Sequence, residues 1–108
     1  MTVHTPLQTL RNLQKLYKHG FRDSVTDAAL ARIVASQAAR DESVLLDLER
    51  DLRELEKNYR MTSEEFIQDW QAGRLEDTAD YMDWNALYQM SQEIRQRLKL
   101  LRSEPDLA

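Results

Sequence analysis

Apolar residues recur every three or four positions along most of this chain, a spacing that predicts amphipathic helices. The first such segment begins at Thr5, has Pro6 in its opening turn, carries apolar residues as far as Tyr17 and stops at Gly20. Proline fits the first turn because its missing N–H would have no partner there, and glycine readily adopts the left-handed conformation that ends a helix. These signals predict a short first helix.

The second segment is the longest, because no glycine or proline occurs between Ser24 and Gly73. It predicts a long second helix over residues 25–59, about 50 Å in length at 1.5 Å per residue, with Ser24 and Asp27 in a capping arrangement. A helix of that length is typical of a helical hairpin or a dimer. Leucines spaced by three and four form an apolar seam along this helix, and the apolar pattern weakens near Asp41. We expect the seam to mediate packing and self-association. The seam consists of Leu45, Leu48, Leu52, Leu55 and Tyr59.

A strong helix start lies at Thr62, where the hydroxyl can cap the helix and Glu65 can reach back to the cap. A short third helix over residues 63–72 follows and ends at Gly73, and a fourth helix runs from about Asp80 to about Arg102. Residues 103–108 are expected to fray. The pattern therefore predicts one all-α domain over residues 1–108. It is a helical bundle in which helices 2 and 4 form a long antiparallel hairpin and short helices 1 and 3 pack on it.

Composition narrows the class of protein. The 108 residues include two glycines, two prolines and no cysteine, which removes disulfides and sulfur-ligated metal sites and fits a reducing compartment. We find no apolar run of about 20 residues, and the opening sequence lacks the apolar core of a signal peptide. A cytoplasmic protein that does not enter the membrane is the expectation.

Charge is unevenly distributed along the chain. Residues 1–40 carry six basic and two acidic residues, whereas residues 61–83 carry one basic and seven acidic residues. An acidic protein is not attracted to phosphate backbones, so nucleic acid is not an expected partner. The acidic segment instead favours a basic protein, although it is equally explained as a solvated helix face.

The candidate binding site lies in residues 61–90, where aromatic residues alternate with carboxylates. Aromatic side chains are enriched at interfaces, but core packing is their commoner use and competes with this interpretation, particularly for the two tryptophans. We predict that a partner protein contacts this segment at Trp70, Glu76, Asp77, Asp80, Tyr81, Asp83, Trp84 and Tyr88.

No residue pattern in the sequence indicates catalysis. The two histidines, His4 and His19, have no metal-ligand spacing, and no serine lies in a nucleophile elbow. Glu76, Asp80 and Asp83 have helical spacing but lack the pattern of a calcium loop, so solvated or capping roles explain them better. We therefore predict a non-catalytic protein without a cofactor or metal.

The segment MTSEEF, the glycine-marked acidic turn and DYMDWNALYQM together resemble a group of small, mostly uncharacterised bacterial all-helical proteins. The core of that group reads SSEEF, AGxL and DFxEWxxLYxM, and the resemblance covers about two-thirds of this chain. Some members are antitoxin-like, so the resemblance implies an antitoxin role but carries over no site residues. The matching positions are Ser63, Glu64, Glu65, Phe66, Ala72, Gly73, Leu75, Asp80, Trp84, Leu87, Tyr88 and Met90.

Two hypotheses follow from the sequence. The leading one is a protein-binding module, with the antitoxin of a toxin–antitoxin pair as its specific role, that uses the acidic aromatic segment to bind a basic protein. The alternative is a structural homodimer that self-associates through the leucine seam of the second helix.

Overall fold

A computed structural model describes residues 5–103 of the chain, and this part is helical throughout apart from short connections. The predicted frayed tail thus lies outside the described residues except for Ser103. The predicted all-α class is confirmed. The helices are α1 (Pro6–Lys18), α2 (Ser24–Tyr59), α3 (Ser63–Gln71) and α4 (Ala79–Leu101).

Local signals set the helix ends. The hydroxyls of Thr5, Thr62 and Thr78 accept hydrogen bonds from the backbone N–H groups of Gln8, Glu65 and Tyr81, each at 3.1 Å. These bonds satisfy donors that have no partner inside the helix. The connections after α1 and α3 contain Gly20 and Gly73, which have positive φ values of 96° and 72°.

Two helix ends differ from the sequence prediction. At the start of α2 it is Asp23, and not the Ser24 and Asp27 pair, that caps the helix, because its carboxylate accepts from the backbone N–H of Thr26 at 3.0 Å. The bonds from Thr26 hold the pKa of Asp23 below its usual value of 3.8. Past the end of α2, Arg60 takes the left-handed conformation with φ 54°, a role that glycine fills more often.

The chain packs as two compact units, Met1–Ile33 and Val34–Ala108. The helix α2 belongs to both units, so this division does not separate two independent domains. The single domain over residues 1–108 stays a prediction. The first unit pairs α1 with the start of α2, and the Tyr17 hydroxyl donates to the Asp27 carboxylate at 2.6 Å. This bond raises the pKa of Tyr17 to about 12. None of residues 5–33 is buried.

The second unit contains the predicted antiparallel hairpin. Arg97 and Arg95 on α4 form ion pairs with Asp41 and Glu49 on α2 at 2.7 and 2.8 Å. Near the other end of α4, Asp80 accepts a hydrogen bond from Tyr59 at the end of α2. Residue numbers thus rise along one helix as they fall along the other, which confirms the antiparallel pairing.

Two apolar clusters fill the interior of this unit. The first joins α2 to the end of α4 and has Leu48 and Leu98 among its buried members. The second joins α2, α3 and the start of α4 around Phe66 and Trp84, which have no exposed surface. Leu87 packs against both clusters, so together they line the hairpin from one end to the other.

Candidate functional site

Trp84 is a core residue, which corrects its assignment to the partner-binding surface. Its ring stacks on Phe66 with centroids 4.2 Å apart and planes within 2° of parallel. Its indole N–H donates to the Ser63 hydroxyl at 2.9 Å, and Ser63 is itself buried. A tryptophan that is covered by its own chain and has its polar atom satisfied offers nothing to a partner. Of the two explanations that the sequence left open for Trp84, core packing is the correct one.

The other three predicted aromatic contacts are half-buried. Trp70, Tyr81 and Tyr88 all pack against the cluster around Phe66 while keeping part of their surface in solvent. Tyr81 lies 5.4 Å from Phe66 and 5.2 Å from Tyr59, measured between ring centroids. These rings therefore serve mainly to build one end of the hairpin, and only their outer edges are accessible.

The carboxylates at this end are exposed, as the sequence predicted. Six acidic side chains lie in α3, in the turn after it and at the start of α4, and all six are exposed. The one basic residue of the segment, Arg74, pairs with Asp69 at 3.3 Å. In the part of the chain that the structure describes, none of the six forms an ion pair with a basic side chain. They are Glu64, Glu65, Glu76, Asp77, Asp80 and Asp83.

Asp80 differs from its neighbours because it also has a structural role. Its carboxylate accepts a hydrogen bond from the Tyr59 hydroxyl and so links the end of α2 to the first turn of α4. This bond, followed by desolvation and the nearby negative charge, raises the pKa of the Tyr59 phenol. Of the four acidic residues assigned to partner binding, Glu76, Asp77 and Asp83 are those without such a bond to another helix.

Met82, which was not among the predicted contact residues, is 57% exposed and precedes Asp83 in the sequence. Methionine is flexible and polarizable, and it is often found on surfaces that bind varied partners. Within residues 61–83 it is the one large apolar side chain that is mostly exposed. The helical pattern of α4 could have found it, since Met82 lies off the stripe that contains Tyr81, Trp84 and Tyr88.

The leucine seam packs inside the chain. Leu48 and Leu52 are buried in the two apolar clusters, and Leu45 and Leu55 pack against the same clusters. Tyr59, the last seam residue, lies 5.7 Å from Trp84 between ring centroids. The expected self-association surface is therefore occupied by α3 and α4 of the same chain. Self-association of the protein stays a prediction, but the buried leucines of this seam do not provide a surface for it.

An ion pair with a buried carboxylate lies where the seam weakens, and the sequence did not reveal it. Asp41 is 3% exposed and receives two hydrogen bonds from Arg97, both at 2.7 Å, and a third from Gln37 at 3.0 Å. These bonds, with Arg97 the largest influence, hold the pKa of Asp41 below its usual value of 3.8. The pair joins α2 to α4, and we therefore interpret it as structural.

Two further observations concern metal sites and membrane-spanning helices. Among residues 5–103, no three side chains of the types histidine, cysteine, aspartate or glutamate are grouped so that they could hold a metal ion. Within the same residues, no helix is long and apolar enough to cross a membrane.

Comparison with known proteins gives no family. A scan against protein-family models, a search of curated proteins and a search of solved structures each returned no significant match. The resemblance to the antitoxin-like bacterial group therefore stays a prediction that depends on the residues named above.

Proposed function

We propose that this protein is a non-catalytic protein-binding module whose acidic end binds a basic protein partner. The acidic end comprises the six exposed carboxylates of residues 61–83 together with Met82 and the outer edges of Trp70, Tyr81 and Tyr88. On the resemblance to antitoxin-like proteins, we further propose that the partner is a toxin that this chain neutralises.

The observation that supports the proposal is the absence of counter-charge at the acidic end. Elsewhere in the second unit several acidic side chains are paired across the hairpin, as in Asp41 with Arg97 and Glu49 with Arg95. The acidic end has six exposed carboxylates within residues 61–83, and none of them forms an ion pair in the described chain. A basic partner would relieve their mutual repulsion and would be steered to this end by the surface potential.

The test begins with the partner. Tagged protein is used as bait in an extract of the source organism at moderate salt, and retained proteins are identified by mass spectrometry. A basic protein recovered in stoichiometric amount is then purified, and its affinity is measured for the wild type and for the triple variant Glu76→Gln, Asp77→Asn and Asp83→Asn. Asp80 is left intact because it accepts the hydrogen bond from Tyr59.

We expect about tenfold weaker binding by the triple variant at low salt, because each exposed charge contributes a few tenths to one kcal/mol. The matched control neutralises three exposed carboxylates outside the acidic end, Asp51→Asn, Glu54→Gln and Glu93→Gln. It changes the net charge equally and should alter affinity less than threefold. If the triple variant and the control lost the same affinity, net charge alone would explain the effect, and the assignment of the acidic end as the binding surface would be overturned.

The antitoxin role has its own test. Expression of the captured partner alone should arrest growth of a host, and coexpression of the wild-type chain should restore it. If the partner binds but is harmless when expressed alone, the proposed antitoxin role is rejected, while the proposal of a protein-binding module stands.

A further inference from the structure

In the described residues, several apolar side chains of the first unit are exposed to solvent. Among residues 5–33, the side chains of Leu7, Leu10 and Leu16 on α1 are 56%, 57% and 44% exposed. On the start of α2, Val25 and Ile33 are 75% and 66% exposed. Scattered exposed apolar side chains are ordinary, so the case for an interaction surface depends on the groove that some of them border.

A groove lies between α1 and the start of α2, and of these exposed side chains Leu10 lines it. Its volume is about 510 Å³. Leu10, Leu13, Tyr17 and Leu30 line it, and so do the basic side chains of Lys18 and Arg22. The Tyr17 hydroxyl bond to Asp27 ties the two helices together along the groove. The apolar stripe from Leu7 to Tyr17 covers eleven residues of α1, a rise of about 15 Å, and this length suits a helix better than a small molecule.

The net charge of the first unit indicates which kind of partner helix would fit the groove. Residues 5–33 contain five basic and two acidic residues, for a net charge of +3 with histidine neutral. A partner helix with leucine-like anchors on one face and carboxylates beside them would match both the apolar lining and the basic side chains. A basic amphipathic helix would match only the lining and would be repelled by Lys18 and Arg22.

Two surfaces of a second copy of this chain, its first unit and its acidic end, are poor occupants of the groove. Two copies of the first unit would bring like charges together, each unit contributing Lys18 and Arg22. The acidic end of a second copy has the right charge, but its apolar side chains Phe66 and Ile67 are buried in its own core. Only Met82 is well exposed there, and one anchor does not fill a groove lined by three leucines and a tyrosine.

We infer that the groove of the first unit is a second docking site, which takes an acidic amphipathic helix from another protein. This site is separate from the acidic end, has the opposite charge and does not depend on the function proposed above. The chain would then bring together two partners, or two segments of one partner, of opposite charge.

The test uses the full chain and a defined probe. The probe is a fluorescein-labelled helical peptide of 18 residues, with leucines at spacings of three and four and glutamates at the flanking positions. A second peptide has lysine at every glutamate position. Binding is measured by fluorescence anisotropy for the wild type and for two double variants. The groove variant is Lys18→Glu with Arg22→Glu, and the control is Arg11→Glu with Arg32→Glu, which changes the net charge equally outside the groove.

We expect the wild type to bind the glutamate peptide at least tenfold more tightly than the lysine peptide. The groove variant should lose at least tenfold in affinity for the glutamate peptide, and the control less than threefold. All four replaced side chains are exposed, and circular dichroism checks that each variant keeps its helices. Absence of binding, equal affinity for the two peptides, or equal losses in the two variants would each overturn the inference.

Sedimentation equilibrium of the wild type at the same concentrations tests whether a second copy of the chain occupies the groove. A monomer, or a dimer that stays intact when the peptide binds, agrees with the inference. A dimer that the glutamate peptide dissociates would show that a second copy occupies the groove, and it would overturn the proposal of a foreign partner. The triple variant of the acidic end should bind the peptide as the wild type does, so failure of one site is distinguishable from failure of the other.

Discussion

Ser63 holds together three helices through two hydrogen bonds. Its hydroxyl accepts from the Trp84 indole on α4 at 2.9 Å, while its backbone N–H donates to the Glu56 carboxylate on α2 at 2.9 Å. Both Ser63 and Trp84 are buried, so water cannot replace a lost partner at this position. Trp84, which was predicted to contact a partner, is therefore part of the linkage that shapes the acidic end.

The replacement Ser63→Ala tests this linkage. It leaves the Trp84 N–H buried without an acceptor, which should lower the free energy of unfolding by about 1–3 kcal/mol. Urea denaturation, followed by circular dichroism, measures the loss. The matched control is Ser43→Ala on the exposed side of α2, which should change stability by less than about 0.5 kcal/mol. Equal stability of the two variants would contradict a stabilising role for the Ser63–Trp84 bond.

The helices were predictable where their signals are local. Thr5, Thr62 and the two glycines lie within a few residues of the ends that they determine, so the sequence located α1, α3 and both turns closely. The pairing of Asp41 with Arg97 joins residues 56 positions apart, and no local spacing reveals such a contact. The sequence left two interpretations open for Trp84 for the same reason, since stacking on Phe66 depends on how α3 packs against α4.

The Asp41–Arg97 pair makes the hairpin sensitive to acid. Because the pKa of Asp41 is lowered in the folded chain, its contribution is present above the unfolded value of 3.8 and is lost as the pH falls through the folded value. We expect the thermal midpoint of the wild type to fall steeply below about pH 4. Asp41→Asn should lower the midpoint at pH 7 by several degrees and should flatten that acid dependence.

Asp47→Asn provides the comparison for the acid prediction. Asp47 is also on α2 and pairs with Arg50, but both side chains are about two-thirds exposed, at 67% and 71%. Exposed pairs contribute little to stability, so this variant should keep the midpoint and the acid dependence of the wild type. If Asp41→Asn and Asp47→Asn had the same pH profiles, the Asp41–Arg97 pair would not be the source of the acid sensitivity.

For the whole chain, the uneven distribution of buried residues predicts uneven stability. The described residues of the first unit include none that is buried, whereas the second unit contains two apolar clusters. A helix pair of about 30 residues that buries so little cannot offset the entropy of ordering its backbone by its own packing. We therefore expect the first unit to open locally far more often than the hairpin formed by α2 and α4.

Amide hydrogen exchange at neutral pH measures that difference. Protection in α1 should correspond to an opening free energy of at most about 2 kcal/mol, while amides near Leu48 and Leu52 should approach the global free energy of unfolding. Because α2 belongs to both units, its residues 24–33 should exchange faster than its residues 41–55, a comparison within one helix. Uniform protection along α2 and α1 would contradict the expectation. Addition of the glutamate peptide should slow exchange in α1 selectively, since a ligand that fills the groove supplies the apolar contacts that the first unit lacks.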